Sequence, residues 1–229
     1  MPRRDNASDR IQRLAEQRQI PFLLHFSLAR NLPNVIEHGI LPREELHAAG
    51  FIAYAATQYR LDGDDGAVST SISAISRRIF EAKRKNTGTG DWVVLFLDRN
   101  VLWTHNCRFC FRNAATGEMQ SHRGYLGGPW AFTQMFSDEM APPNFKGGAY
   151  RADTGIPSFL TTDPDAEVQV FGGIRPETIV GAWVSRRDLA EVVQDTLNQL
   201  PGQERDVVVD EFAPFSNGFS EWVVPRSMF

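Results

Sequence analysis

Three side chains capable of chemistry stand far apart in this chain. His25 ends the apolar run Ile20-Pro21-Phe22-Leu23-Leu24, Arg60 precedes a strand with a serine face, and Glu167 opens another strand. Glu167 lies in Thr161-Thr162-Asp163-Pro164-Asp165-Ala166-Glu167-Val168-Gln169-Val170-Phe171. The first half of that stretch is turn chemistry, short polar side chains around a φ-fixing proline. The second half alternates apolar and polar with period two. Ala166, Val168 and Val170 then face one way, and Glu167, Gln169 and Phe171 the other. A carboxylate at the start of a strand, straight after a tight turn, is held rigidly toward a cleft. Taken alone, the plainer reading is a solvated glutamate on an edge strand. In Ala67-Val68-Ser69-Thr70-Ser71-Ile72-Ser73, the serines Ser69, Ser71 and Ser73 share one face and Val68, Thr70 and Ile72 the other. A serine row suits a wall that touches a polar ligand better than it suits a core.

These residues need elements to position them. The pattern predicts a polar helix over Ser8–Gln19, capped by Ser8, with Arg3, Arg4, Arg10, Arg13 and Arg18 making this end basic. A solvated helix face accounts for that charge, and a nucleic-acid contact is the alternative. A buried strand follows over Ile20–Phe26. Then comes a helix over Ser27–His38, stopped by Gly39, and a second over Glu44–Ala49. Ile75–Lys85 reads as a helix, and Trp92–Leu97 as the central strand, buried on both faces. Thr104–Phe159 reads as a long irregular region carrying aromatic rings, among them Phe109, Phe111, Tyr125, Trp130, Phe132 and Phe136, interleaved with Arg108, Arg112, Arg123, Lys146 and Arg151. Such a segment is a candidate platform for stacking and gripping a single strand; rings that pack only their own loop are the alternative. Two strands and a helix over Arg187–Leu200 complete the core, with short strands near Val207 and Trp222. Many strands with few, scattered helices indicate an α+β fold. One domain over 1–229 is expected, with 1–19 as a basic N-terminal helix and 186–229 as a C-terminal extension.

Composition narrows the function classes. The 229 residues are 42% hydrophobic and 23% charged with a net charge of −4, so a folded domain is expected, and any nucleic acid must be held by a local basic patch. No apolar run is long enough to span a membrane, and the N-terminus has no secretory signature. Two cysteines, Cys107 and Cys110, give no disulfide framework, which fits a reducing cytoplasm. With His105 and His122 they could be drawn as a zinc site, but the second half of the ligand set is a single histidine in a loop. Reduced core thiols are the expectation, with no metal. The Asp- and Gly-rich loop Thr57–Gly66 lacks the acidic spacing and terminal Glu of an EF-hand. Nucleotide-binding glycine signatures and a nucleophile elbow are absent.

Several blocks in order resemble the DarT family, ADP-ribosyltransferase toxins that modify bases of single-stranded DNA. They are Phe22-Leu23-Leu24-His25-Phe26-Ser27 with Asn31-Leu32-Pro33-Asn34-Val35-Ile36-Glu37-His38-Gly39, then Arg60-Leu61-Asp62-Gly63, the serine-faced strand, Trp92–Asp98, Cys107-Arg108-Phe109-Cys110 with Asn113-Ala114-Ala115, and Asp163–Val168. The Arg60 and Cys107 blocks look more like the branch associated with guanine than the one associated with thymine. The resemblance implies a mixed core around a split sheet, with NAD+ in the cleft as co-substrate. It further implies that His25 holds the nicotinamide-side ribose, with Phe26, Ser27 and Asn34 completing the cofactor wall alongside Ser69 and Ser71. Arg60 would contact the NAD+ phosphates and help organise the attacking base. Glu167 would be the catalytic carboxylate. The family often has Gln two residues before that Glu; here it is Asp165. Candidate substrate contacts are Asp165, Arg108, Arg112, Asn113 and Tyr125. The implied partners are single-stranded DNA and an antitoxin hydrolase that removes the mark, and a monomer is expected. An RNA or protein acceptor, or a binding domain without catalysis, are the competing classes.

Overall fold

The computed structural model describes residues 6–51, 62–88, 90–215 and 218–225. Arg60, with the rest of 52–61, lies outside the described residues, as do Arg3 and Arg4. The strands are β1 (Phe22–Leu28), β2 (Ala67–Ile72), β3 (Ile75–Ser76), β4 (Trp92–Asp98), β5 (Asn106–Cys110), β6 (Glu167–Phe171), β7 (Ile179–Val184), β8 (Asp206–Val209) and β9 (Trp222–Val223). Seven of them form one mixed sheet in the order β5-β6-β2-β1-β4-β7-β8, and β3 pairs with β9. Among the described strands only β7 and β8 run parallel. The α+β class expected from the sequence is the one observed.

The sheet is built from two halves that barely touch. β1 pairs with β4 from Phe22↔Asp98 to Leu28↔Trp92, and β2 pairs with β6 from Ala67↔Phe171 to Thr70↔Val168. Between the halves, β1 meets β2 only at Leu23↔Ile72 and Leu24↔Ser71. Beyond that pair the strands part and leave a split. β4 is the central strand, as its continuous apolar run predicts: Val93, Leu95 and Leu97 join one buried cluster, and Trp92, Val94 and Phe96 join the other.

Several boundaries differ from the sequence reading, each for a local reason. Asn6, not Ser8, caps the first helix (Ala7–Gln17), its side chain accepting from the Asp9 amide; Ile11 and Ala15 bury against the core. β1 continues through Ser27 and Leu28 because both still pair with β4, so the following helix starts only at Leu32, with Pro33 in its first turn. Ser73 does not extend the serine wall: it takes φ +60 and is fully buried, its amide bound to Phe22 O. Ile75 and Ser76 form β3, and Ser76 caps the helix Arg77–Thr87. The expected irregular region contains a sheet strand, β5, and short helices at Gly117–Ser121, Pro129–Gln134 and Tyr150–Thr154. Most of its rings are core: Phe109 stacks edge-on against Phe132, and Phe132 lies beside Phe136. The C-terminal extension supplies β8 and β9. Arg205, 3% exposed, anchors it by donating to the carbonyls of Ile179, Leu200, Pro201 and Gln203.

One glycine ties the two halves of the split together. Gly39 ends the helix Leu32–His38 at φ +88, and a Cβ there would lie 2.5 Å from Ile174 O. The next residue makes the bridge Ile40↔Ile174, joining the β1 side to the turn after β6. Gly39→Ala combines a disfavoured φ with that clash, about 1–3 kcal/mol of strain. The expected result is a Tm lower by roughly 3–10 °C in a thermal melt.

Candidate active site

The split opens into a cavity of about 500 Å³ whose lining includes His25, Phe26, Ser27, Asn34, Ser69, Ser71, Asn113, Asp165 and Glu167. The positions singled out in four separate sequence blocks thus share one cleft. His25 sits where β1 leaves β2, and its Nδ1 lies 3.0 Å from the carbonyl oxygen of Ser69. A carbonyl only accepts, so Nδ1 carries the proton and Nε2 is left as the other polar atom of the ring. On the same wall Asn31 Nδ2 donates to Ser27 Oγ at 3.0 Å, fixing the serine beside Asn34.

The opposite wall is a polar face made by β2, β6 and β5. Directly opposed residues share a sheet face, so Ser69, Gln169 and Arg108 form one cross-strand row, and Glu167 and Cys110 stand side by side in the next. Val168 and Val170 point to the core on the other side, as period two demands. Gln169, which reads in sequence as an ordinary polar alternate, is 0% exposed. It spends its amide fully. Nε2 donates to Glu167 Oε1 at 3.1 Å and to Asp62 Oδ2 at 2.6 Å, while Oε1 accepts from Arg108 Nε at 2.6 Å. Arg108 Nη2 continues the chain to Asp64 Oδ2 at 2.9 Å. Burial of a primary amide with unmet donors is costly, so this network fixes one rotamer of Gln169 and, through it, one oxygen of Glu167. The sequence signal for this role is only its place two residues after Glu167 on the same strand face.

The turn before Glu167 is fixed from outside the sheet. Asp163 Oδ1 accepts from the Asp165 amide at 2.7 Å, and Arg112 Nη1 donates to Asp163 Oδ2 at 2.7 Å and Nε to Glu118 at 2.9 Å. Burial holds the Asp163 carboxyl above its usual range, against the pull of the Asp165 amide and Arg112. Arg112, a candidate substrate contact, is thereby committed to the turn. Arg151 holds the same turn by donating to Leu160 O and Thr162 Oγ1. Asp165 projects into the cleft, accepting from Ser76 Oγ and from the Arg78 guanidinium. The helix Arg77–Thr87 gives no hint of this pair in its own sequence, because the partners are distant in the chain. Arg108, another candidate contact, is held by Gln169 and Asp64, and Tyr125 lies outside the cleft. Cys107 and Cys110 fall on opposite faces of β5. Cys107 donates to Val101 O, and burial pushes both thiols up to about 12. Among the described residues no cluster of His, Cys, Asp and Glu could hold a metal ion.

A family model described as "ssDNA thymidine ADP-ribosyltransferase, DarT" matches residues 24–215. The chain belongs to the DarT family. DarT enzymes transfer ADP-ribose from NAD+ to single-stranded DNA, so the chain is an NAD+-dependent ADP-ribosyltransferase. Thermus sp. 2.9 DarT in complex with carba-NAD+ aligns with a TM-score of 0.53 at 14% identity, over 81% of this chain and 94% of that one. Thermus sp. 2.9 DarT in complex with ADP-ribosylated ssDNA gives 0.53 at 14% identity, over 83% and 94%. Thermosipho africanus DarTG in complex with ADP-ribose gives 0.50 at 14% identity over 83% of this chain, which spans only 50% of that one. At such identities the likeness is one of fold. None of the curated proteins matches the sequence. Among the described residues no helix is long and apolar enough to cross a membrane.

Two outcomes follow from the DarT cleft. Gln169→Leu removes the donor to Glu167 Oε1 and should lower kcat for ADP-ribose transfer on the order of 10²-fold, with a smaller change in KM for NAD+, read in steady-state assays. At pH 8 a thiol with a pKa near 12 is ionised to about one part in ten thousand. Iodoacetamide should therefore leave Cys107 and Cys110 unmodified in the native protein and alkylate both in urea, as counted by intact mass.

Proposed function

We propose that this chain moves ADP-ribose from NAD+ to a guanine of single-stranded DNA and releases nicotinamide. The observation that carries the reading is that His25, the serines Ser69 and Ser71, and Glu167 line one cleft. NAD+ would lie along the split. His25, through Nε2, and Ser27 and Asn34 would hold the nicotinamide-side ribose against Phe26. Arg60 would pair with the pyrophosphate as a planar fork.

In the reaction the C1′–nicotinamide bond breaks and its electron pair returns to the pyridine nitrogen, which leaves neutral. Positive charge develops on the ribose, and the Glu167 carboxylate, aimed by Gln169, stabilises it. A base nitrogen attacks C1′ and gives its proton to Glu167, the general base. The acceptor must be out of the stack to be reached, which favours a single strand. Asp165, at the cleft lip with Arg78, would orient that base. Support for guanine comes from the Arg60 and Cys107 blocks. Thymine is the second reading, favoured by the description of the family model. In this reading the chain is a toxin of the cytoplasm, acting as a monomer. Its partner is an antitoxin hydrolase that cleaves the new glycosidic bond.

Oligonucleotides carrying one guanine or one thymine, together with RNA and protein controls, are incubated with NAD+ and analysed by mass spectrometry. One ADP-ribose on the guanine strand is expected; modification of thymine, RNA or protein instead would replace this acceptor. Glu167→Gln should lose about 10²–10⁴-fold in transfer rate while still binding NAD+ by calorimetry.

A further inference from the structure

A second cavity of about 470 Å³ opens beside the cleft, in the size range of small-ligand pockets. Asp62 lines both cavities, and Cys110, which neighbours Glu167 across the β5–β6 ladder, lines the second. The second cavity therefore leads away from the acid end of the cleft. Its floor carries two carboxylates: Asp62 accepts from the neutral amide of Gln169, and Asp64 pairs with Arg108. His122 Nε2, a buried polar atom with no hydrogen-bond partner among the described residues, stands on its outer side.

Tyr125 lines this cavity, and Trp130 lies behind its His122 wall. Tyr125 is 79% exposed and Trp130 54%, whereas the other rings of the region are mainly buried. A Cβ on Gly127 would lie 2.5 Å from the Tyr125 hydroxyl oxygen and 2.7 Å from Cζ, and one on Gly128 would lie 3.4 Å from the ring. The phenol passes close to the Gly127 backbone, and most of its surface faces solvent. Trp130 stacks on His122 with ring planes 15° apart. Arg123 precedes the platform in sequence.

We infer that Tyr125 and the cavity beside it form a stacking subsite for a nucleobase that flanks the acceptor in single-stranded DNA. The inference rests on the reading of the chain as a DNA-base transferase. A flat, solvent-facing ring at the mouth of a cavity suits the face of any base, and the acidic, amide and imidazole groups of the cavity suit its polar edge. An acceptor nucleotide that enters the cleft alone offers few contacts. A neighbour stacked on Tyr125 anchors the strand and splays the acceptor from it.

The test uses the full chain, NAD+ and an oligonucleotide with one acceptor. Tyr125→Ala should raise KM for the oligonucleotide about 5- to 150-fold, and Tyr125→Phe, which keeps the ring, should restore it. Abasic sites are then placed at each position flanking the acceptor. One position should cost the wild-type chain a similar factor and cost Tyr125→Ala little more, as expected for two changes that remove the same contact. Equal KM values for wild type and Tyr125→Ala, or an abasic penalty that adds in full to the substitution, would overturn the subsite while leaving the transferase intact. A wild-type chain that modifies no DNA would overturn the underlying function and the subsite with it.

Discussion

The His25–Ser69 hydrogen bond sits where two strands of one sheet stop pairing. Backbone groups that leave a ladder must find other partners or water. Here the Ser69 carbonyl takes its partner from an imidazole on the neighbouring strand, which spans the gap that a backbone amide would otherwise fill. The split is therefore held open and held in register by the same contact. Closing the ladder would fill the cavity with backbone. Widening it would break the bond that sets the tautomer of His25.

The far wall solves a different problem. The carboxylate of Glu167 must be held in one direction within a polar cleft. One oxygen of Glu167 accepts from the Gln169 amide, and Arg108 and the acid Asp62 bond to that same amide, with Asp64 held by Arg108. A hydrogen bond from a buried, fully engaged amide fixes the direction of the oxygen that accepts it. Arg112 and Arg151, for their part, serve the turn that delivers Asp165 and Glu167. Three arginines that read in sequence as nucleic-acid contacts are thus largely engaged in building the site.

Much of this architecture is legible in the amino-acid sequence. Period-two alternation places Glu167 and Gln169 on one face and Val168 and Val170 on the other, and the serine row of β2 is half-exposed as expected. The continuous run at Trp92 marks the centre of the sheet. What the sequence hides is long-range. Asn106–Cys110 becomes a strand because β6 offers it an edge, a fact absent from its own short pattern. Rings at 109, 132 and 136 look the same in sequence as those at 125 and 130, since burial depends on what packs above them. The role of Gln169 needs partners 61 and 107 residues away.

β9 pairs with β3, and the Arg77 amide donates to Glu221 O, within a residue of the Ser76 and Arg78 that grip Asp165. The brace behind the lip of the cleft is thus contributed by residues synthesised after every other part of the site. A chain emerging from the ribosome exposes its acid and its histidine while that brace is still untranslated. The order of translation thus leaves the lip of the cleft to be finished last.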